Sequence, residues 1–486
     1  MPMRYISTRG GGVAANASQA ILRGLAEDGG LYVPEAIPRM DRPMDEWLSL
    51  SYPELTRTVL RLFLDFSEEE LTACVEAAYA QHRFDDPLIA PVKMAAGVHF
   101  LELFHGPTLA FKDMALSILP HLMKTAAARE GIQDKIVILT ATSGDTGKAA
   151  LEAFCDVPGT QIAVFYPQDG VSAMQKRQMI TQEGENTHVF GVRGNFDDAQ
   201  TGVKKIFADT ALTRDMAARG LVFSSANSIN IGRLLPQIVY YFYAYAQLVR
   251  SGAILPGGCV NFVVPTGNFG NILAGYYAKE MGLPIYKLIC ASNDNKVLYD
   301  FFKTGVYDRN REFFCTISPS MDILVSSNLE RLLFHATRAE SVHRMMEELN
   351  TTGRYETTAH LPDFFGAYVT ENAARQAIFE SAQQGYVMDP HTAVAYDAAQ
   401  QYVAATGDRT AQVVVSTASP FKFAEDVLIA VTKSAEKKDA MDAAQELAAA
   451  NGLPIPEGIA KLTDKTVRHT LVCDVTDMQR VVEGIM

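Results

Sequence analysis

Lys135-Ile-Val-Ile-Leu-Thr140, followed by Ala141-Thr-Ser-Gly-Asp-Thr-Gly147 and Lys148-Ala-Ala-Leu-Glu-Ala-Phe154, decides the fold. A short apolar run that ends in small turn residues and opens a helical pattern reads as a buried strand feeding a helix. The same grammar returns in Cys259-Val-Asn-Phe-Val-Val-Pro265, Thr266-Gly-Asn-Phe-Gly-Asn271 and Ile272-Leu-Ala-Gly-Tyr-Tyr-Ala-Lys279. Strands expected at 136–140, 161–166 and 187–192, and again near 260, 286 and 412, alternate with helical patterns. The alternation predicts an α/β protein of two lobes, each a parallel sheet with helices on both faces. Two such lobes leave a cleft between them, and ligands of open parallel sheets sit outside the carboxyl ends of the strands, where both loops fall.

Outward from these loops, the organisation is coarser. Residues 1–90 alternate turn-rich stretches with amphipathic helices such as Glu68-Glu-Glu-Leu-Thr-Ala-Cys-Val-Glu-Ala-Ala-Tyr79, and read as a mostly helical N-terminal module. The smaller lobe is expected over 91–215, the larger over 216–430, and a C-terminal helical and strand extension over 431–486, with a solvated, apolar-striped helix from 435 to 451. The apolar stretch from Leu234 to Val249 is broken by Pro236, Gln237 and four tyrosines. It falls short of the roughly 20 residues that span a bilayer, so it reads as a buried helix between the lobes.

Composition narrows the function classes. The chain has 486 residues, 48% hydrophobic and 20% charged, as an ordinary globular enzyme does. A formal charge of −13 and a pI near 5.3 argue against nucleic-acid binding, so an anionic substrate must be met by a local basic pocket. Six cysteines, at 74, 155, 259, 290, 315 and 473, form neither a C-x-x-C pair nor a metal-ligand cluster with histidine. They read as reduced thiols, and no metal is expected. The N-terminus shows no charged start with an apolar core, which leaves a cytoplasmic location and no membrane partner as the expectation.

The chemistry centres on His105-Gly-Pro-Thr-Leu-Ala-Phe-Lys112-Asp113, with a helix-like continuation from Met114. A primary amine in a partly dry pocket loses some preference for its charged form, and the neutral amine is the nucleophile that forms a Schiff base with a cofactor aldehyde. Both loops supply anion sites. Backbone N–H groups at a helix start are unpaired and carry positive potential. At the first loop the hydroxyls of Ser143 and Thr146 add donors; at the second, Gly267 and Gly270 let successive amides converge on a phosphate. Neither loop matches the common nucleotide fingerprints. Thr142 stands where a Walker loop needs its first glycine and Ala149 where it needs Ser or Thr, and 266–271 is not G-x-G-x-x-G.

The order of the lysine segment, the T-S-G-D-T-G loop, the G-N-F-G-N loop and the late Ser416-Thr-Ala-Ser-Pro-Phe-Lys422 resembles the threonine synthases, pyridoxal-phosphate enzymes of the tryptophan-synthase β fold type. Met3-Arg-Tyr-Ile-Ser-Thr-Arg-Gly10 and Gly24-Leu-Ala-Glu-Asp-Gly-Gly-Leu-Tyr-Val-Pro34 are similar to the N-terminal module of their longer class. With Ser225-Ala-Asn-Ser-Ile-Asn-Ile-Gly-Arg-Leu-Leu235, the likeness spans nearly the whole chain.

The resemblance implies that Lys112 holds pyridoxal 5'-phosphate and then moves protons as a base. It places the cofactor phosphate on Gly267, Asn268, Phe269, Gly270 and Asn271, and the Thr417 hydroxyl opposite the pyridine nitrogen. A neutral hydroxyl there suits elimination and replacement better than transamination. It assigns the substrate carboxylate to Thr142, Ser143 and Thr146, and the leaving phosphate to Asn230 and Arg233, since a guanidinium binds phosphate through two parallel bonds. The ordinary readings stay open: Thr417 as a strand-end hydroxyl capping the helix after Pro420, Asn230 as a helix cap, Arg233 as a surface arginine. Asp145 is assigned to the cofactor, near its phenolic oxygen, where relatives in the wider fold type often have Asn and the longer threonine synthases carry Asp; a carboxylate cannot donate to an oxyanion unless protonated, which leaves its role there open. Ser419 departs from the histidine frequent in the family.

The implied reaction is conversion of O-phospho-L-homoserine and water to L-threonine and phosphate, by a monomer or homodimer. Two alternatives remain at this level: a phospholyase releasing 2-oxobutyrate, phosphate and ammonia, and a non-catalytic cofactor-binding homologue.

Overall fold

The computed structural model describes residues 3–142, 144–434, 436 and 438–485. A six-stranded sheet runs in the order Phe364–Tyr368, Ile285–Ser292, Val260–Pro265, Ala411–Ser416, Val98–Glu102, Val92–Ala95. All its pairs are parallel except the last. A second sheet, wholly parallel, runs Val472–Asp474, Thr187–Arg193, Thr160–Pro167, Lys135–Ala141, Leu221–Ser224. Lys135–Ala141 and Val260–Pro265, read from sequence as buried strands, are buried along almost their whole lengths, as parallel strands covered on both faces are.

Sheet membership cuts across the boundaries drawn from sequence. Val98–Glu102, placed by sequence in the smaller lobe, pairs with Ala411–Ser416 in register Val413 to His99 and Ser416 to Glu102, and so belongs to the larger sheet. Leu221–Ser224, placed in the larger lobe, pairs with Lys135–Ala141. Val472–Asp474, from the C-terminal extension, forms the edge of the smaller sheet against Thr187–Arg193. Strands of three to five residues carry too little pattern to name their partner, so register is settled by the sheet edge each one reaches. As a consequence, Lys112 leaves the larger sheet while the 142–147 loop leaves the smaller one.

The N-terminal module shares one core with both sheets. Its helix Glu68–Ala78 starts in a capping box, with the Ser67 hydroxyl accepting from the Glu70 amide and the Glu70 carboxylate accepting from the Ser67 amide. Trp47 meets Phe242 edge-on at 5.3 Å, and Tyr52 meets Tyr243 likewise at 5.3 Å, contacts worth about 0.5–1.5 kcal/mol each beyond area burial. Both partners lie on the helix Ile231–Arg250, the apolar stretch read from sequence, which is buried along most of its length. Among the described residues, no helix is long and apolar enough to cross a membrane. The helix expected over 435–451 is Ala440–Asn451, with Ala440, Ala443, Ala444 and Leu447 as its buried stripe; position 435 lies outside the described residues.

His105 fastens the start of the lysine segment. Its Nδ1 meets Asp85 Oδ1 at 2.5 Å and its Nε2 meets Glu102 Oε2 at 2.9 Å, while Lys93 and the Tyr386 hydroxyl also bind the buried Glu102. Burial alone would lower the His105 imidazolium, but the bonds to Asp85 and Glu102 outweigh it and lift the pKa from 6.5 to about 9. A raised folded-state value contributes stability that is full below the unfolded value and lost as pH rises through the folded one. Thermal melts of the parent should therefore lose stability between about pH 6.5 and 9, and His105→Gln should flatten that part of the profile. Equal slopes in the two proteins would contradict this.

Candidate active site

The chain reaches Lys112 through a constrained turn. Leu109 adopts a left-handed conformation at φ +60°, and the Asp113 carboxylate accepts from the Thr108 amide at 2.8 Å and the Thr108 hydroxyl at 2.6 Å. A non-glycine residue there costs about 1 kcal/mol or more and is held only by its surroundings. Those surroundings come from the strand Ala411–Ser416 and its continuation. The Phe111 amide donates to the Thr417 carbonyl at 2.8 Å, and the Ser419 amide to the Leu109 carbonyl at 3.0 Å. Thr417 is thus bonded to the residue before Lys112, and both Thr417 and Lys112 are buried. The Ser419 hydroxyl is used locally, accepting from the Phe421 amide.

Lys112 ends in a small buried polar cluster. Its Nζ lies 3.3 Å from Ser320 Oγ, 3.6 Å from Asp145 Oδ2 and 4.6 Å from the centre of the Phe111 ring. Asp145 Oδ1 accepts from Lys422 Nζ at 3.0 Å and from Gln175 Nε2 at 3.0 Å, and Ser320 Oγ donates to Asp145 Oδ2 at 3.4 Å. Burial would raise the Asp145 carboxyl, but Lys422 and then Lys112 hold it well below the usual carboxylate range. Burial also lowers Lys112 from its ordinary value, against the pull of Asp145 and with the push of Arg233 and Lys422. A lysine whose charged form is disfavoured by its surroundings is a candidate nucleophile and base.

Ser320 ties this cluster to the second loop. A side chain built on Gly267 would put its Cβ 2.3 Å from the Ser320 carbonyl oxygen, so only glycine lets the loop lie this close. The Ser326 hydroxyl donates to the Gly267 carbonyl at 2.6 Å and Asn328 Nδ2 to the Asn268 carbonyl at 2.9 Å. Phe269 stands at φ +63° immediately before the helix Gly270–Glu280. The Asn271 Oδ1 accepts from the Tyr240 and Tyr241 hydroxyls at 2.7 and 2.8 Å, whereas its Nδ2 is buried with no partner among the described residues.

Gly267→Ala is expected to destabilise the protein by about 1–3 kcal/mol through overpacking against backbone. Because the loop must retreat, affinity for a phosphorylated cofactor should fall at least roughly tenfold, about 1.4 kcal/mol. Thermal melts and a cofactor titration of the apoprotein check both; an unchanged dissociation constant would separate the loop from the cofactor.

The first loop is arranged differently from its sequence reading. Thr142 Oγ1 accepts from the Gly144 amide at 3.0 Å and the Gly147 amide at 2.9 Å, so this hydroxyl braces the turn. The amides of Asp145 and Thr146, in the first turn of the helix Asp145–Phe154, have no intrahelical acceptor, as at any helix start. Ser143 lies outside the described residues.

Asn230 and Arg233 part company. Asn230 Oδ1 accepts from the Gly232 amide at 2.8 Å, and its Nδ2 donates to the Ile21 and Ser225 carbonyls at 2.9 and 3.0 Å. This fully buried amide is occupied as a helix cap and a tie to the N-terminal module, in line with the cap reading rather than the phosphate one. Arg233 is no surface residue. It is 3% exposed, donates from Nη1 to the Ala226 carbonyl at 3.0 Å, and keeps Nε buried without a partner among the described residues. Burial pulls its pKa down to about 10, which still leaves it cationic at neutral pH.

Ser320, Lys422 and Gln175 drew no role from sequence. The His391 Nε2, which accepts from the Ser320 amide at 3.1 Å while Nδ1 meets Asp389 at 2.6 Å, was not singled out either. Lys422 alone had a signal: a single charge inside the apolar run Pro420-Phe-Lys-Phe-Ala424. Among the described residues no cluster of side chains is built to hold a metal. A buried amine, a glycine-dependent loop behind it, and two unpartnered buried donors, Asn271 Nδ2 and Arg233 Nε, fit a phosphorylated aldehyde cofactor with an anionic substrate.

Comparison with known proteins points the same way. Three family descriptions match: threonine synthase N terminus over residues 4–79, pyridoxal-phosphate dependent enzyme over 87–419, and threonine synthase, C-terminal, over 392–482. A threonine synthase of Pseudomonas aeruginosa is 40% identical over 437 residues, covering 87% of this chain and 90% of that one. The human threonine synthase-like 1 is 41% identical over 442 residues, covering 85% of this chain and 58% of that one. The crystal structure of a pyridoxal-phosphate-bound threonine synthase from Brucella melitensis superposes with a TM-score of 0.86 at 35% identity, over 99% of each chain.

Proposed function

The chain belongs to the threonine synthase family of pyridoxal-phosphate-dependent enzymes, and from that premise we propose that it converts O-phospho-L-homoserine and water to L-threonine and phosphate. The observation that carries the reading is the buried Lys112 amine, set between Ser320 and Asp145 with the Gly267 loop directly behind Ser320. Bound pyridoxal phosphate supplies an electron-accepting ring that acidifies the substrate's Cα–H and, through it, the adjacent Cβ–H.

The residues of this chain divide the remaining work. Lys112 would hold the cofactor and move protons at Cα and Cβ, a task that an amine lowered by burial suits. Gly267, Asn268, Phe269, Gly270 and Asn271 would hold the cofactor phosphate at the start of the helix Gly270–Glu280, and Thr417 would supply a neutral hydroxyl toward its ring. The amides of Asp145 and Thr146, with Thr142 bracing their turn, receive the substrate carboxylate. Arg233 receives the γ-phosphate and stabilises it as it leaves. The two lobes exclude water until a single molecule is needed at Cβ.

Incubating the protein with pyridoxal phosphate and O-phospho-L-homoserine, and measuring phosphate, threonine and 2-oxobutyrate together, tests this reading. Equal phosphate and threonine are expected. Phosphate matched by 2-oxobutyrate would make the protein a phospholyase, and no phosphate would remove the substrate assignment.

A further inference from the structure

Lys422 has no place in the division of roles above, yet it is among the most completely buried charges in the site. Its side chain is 0% exposed, and its Nζ is shared between the Asp145 carboxylate at 3.0 Å and the Thr108 carbonyl at 2.8 Å. It arrives from the turn Pro420–Phe423, after the last strand of the larger sheet; Asp145 belongs to the smaller lobe and Thr108 to the lysine turn. One ammonium thus joins three segments around Lys112. The contacts are also unequal: Asp145 lies 0.6 Å nearer to Lys422 than to Lys112, 3.0 against 3.6 Å.

We propose that Lys422 is the standing counter-ion of Asp145, and that by satisfying this carboxylate it leaves the Lys112 amine free to act as nucleophile and base. The inference rests on the assignment of Lys112 as the cofactor lysine. A buried carboxylate with Lys112 as its one cationic partner would lock that amine as an ammonium. With Lys422 in place, the carboxylate is neutralised permanently, and what faces Lys112 is a balanced pair together with the Arg233 cation from the helix Ile231–Arg250. His391, its Nε2 accepting from the Ser320 amide, stands behind Ser320, and Asp113, next in sequence to Lys112, turns its carboxylate to Thr108. The pair also gives Asp145 a physical purpose: the carboxylate is the seat that fixes Lys422 beside the cofactor lysine.

Capture of pyridoxal phosphate by the apoprotein reads this balance directly. One carbon–nitrogen double bond forms, one water leaves, and the ammonium proton of Lys112 is lost to solvent, so the capture rate follows the neutral fraction of the amine. The rate is measured by absorbance against pH for the parent, Lys422→Met, Asp145→Asn and the double variant. The midpoint should move up by at least about 1 unit in Lys422→Met and down in Asp145→Asn, and return near the parent value in the double variant. A bracing role alone would slow capture without moving the midpoint in opposite directions.

Should Lys422→Met fail to fold, Asp145→Asn and the double variant decide the matter: a lowered midpoint in Asp145→Asn that the double variant brings back supports the proposal, and an unchanged midpoint in Asp145→Asn, or a double variant that matches Asp145→Asn, overturns it. Lys112→Ala separates the two layers. If it captures the aldehyde with the parent's spectrum, the cofactor-lysine assignment is wrong; if it does not and the other midpoints coincide, the role of Lys422 is wrong alone.

Discussion

Lys112→Ala is expected to lower formation of threonine and of phosphate together by roughly 10³-fold or more, since it removes both the cofactor's covalent anchor and the proton-transfer group. The fold should survive. Lys112 sits at the edge of the helix Asp113–Leu116, its nearest polar contacts are at 3.3 and 3.6 Å, and Asp145 keeps Lys422 and Gln175 when the amine is gone. The melting temperature should therefore change little while activity collapses. Adding a small amine such as ethylamine should restore part of the rate if the loss is one of proton transfer. Loss of stability in parallel with activity would point instead to a packing role.

Arg233→Met should separate catalysis from stability in a second way. The guanidinium is buried with Nε unpartnered among the described residues and with one bond to the Ala226 carbonyl. An unpaired buried cation is a cost to the fold, and an apolar side chain of similar length relieves it. Stability should be unchanged or higher. Losing the partner of a doubly charged phosphate should cost about 2–4 kcal/mol, roughly 30- to 1,000-fold in kcat/KM for the phosphorylated substrate. Binding of pyridoxal phosphate, read by absorbance, should remain. If Arg233→Met lost stability and kept kcat/KM, the arginine would be structural and the leaving phosphate would need another partner.

What could be read in the chain, and what could not, follows from the range of the forces involved. The strands Lys135–Ala141 and Val260–Pro265 declare themselves through unbroken apolar runs ending in small residues, because burial on both faces leaves a local signature. The loops after them are equally local. Thr142 and Asn230 mislead for the same reason. Hydroxyl and amide side chains at helix starts satisfy backbone groups as readily as they bind ligands, and both are used in that way. Ser320, by contrast, is 208 positions from the amine it touches, in a short turn with no periodicity. Its place is set by the packing of the larger sheet, which no window of sequence contains. The exchanged strands Val98–Glu102 and Leu221–Ser224 show the same limit at the level of lobes.

The central claim is that Lys112, among several buried lysines, is the one that carries the cofactor. Lys422 lies on the other oxygen of the same carboxylate, and Lys148, in the neighbouring helix, is buried against Glu152 and Gln182. Reducing the pyridoxal-phosphate-loaded protein with borohydride makes the link permanent, and peptide mass spectrometry then locates the added pyridoxyl phosphate. The account predicts the label on Lys112 and none on Lys148 or Lys422. Label on Lys422 or Lys148 with Lys112 unmodified would contradict it.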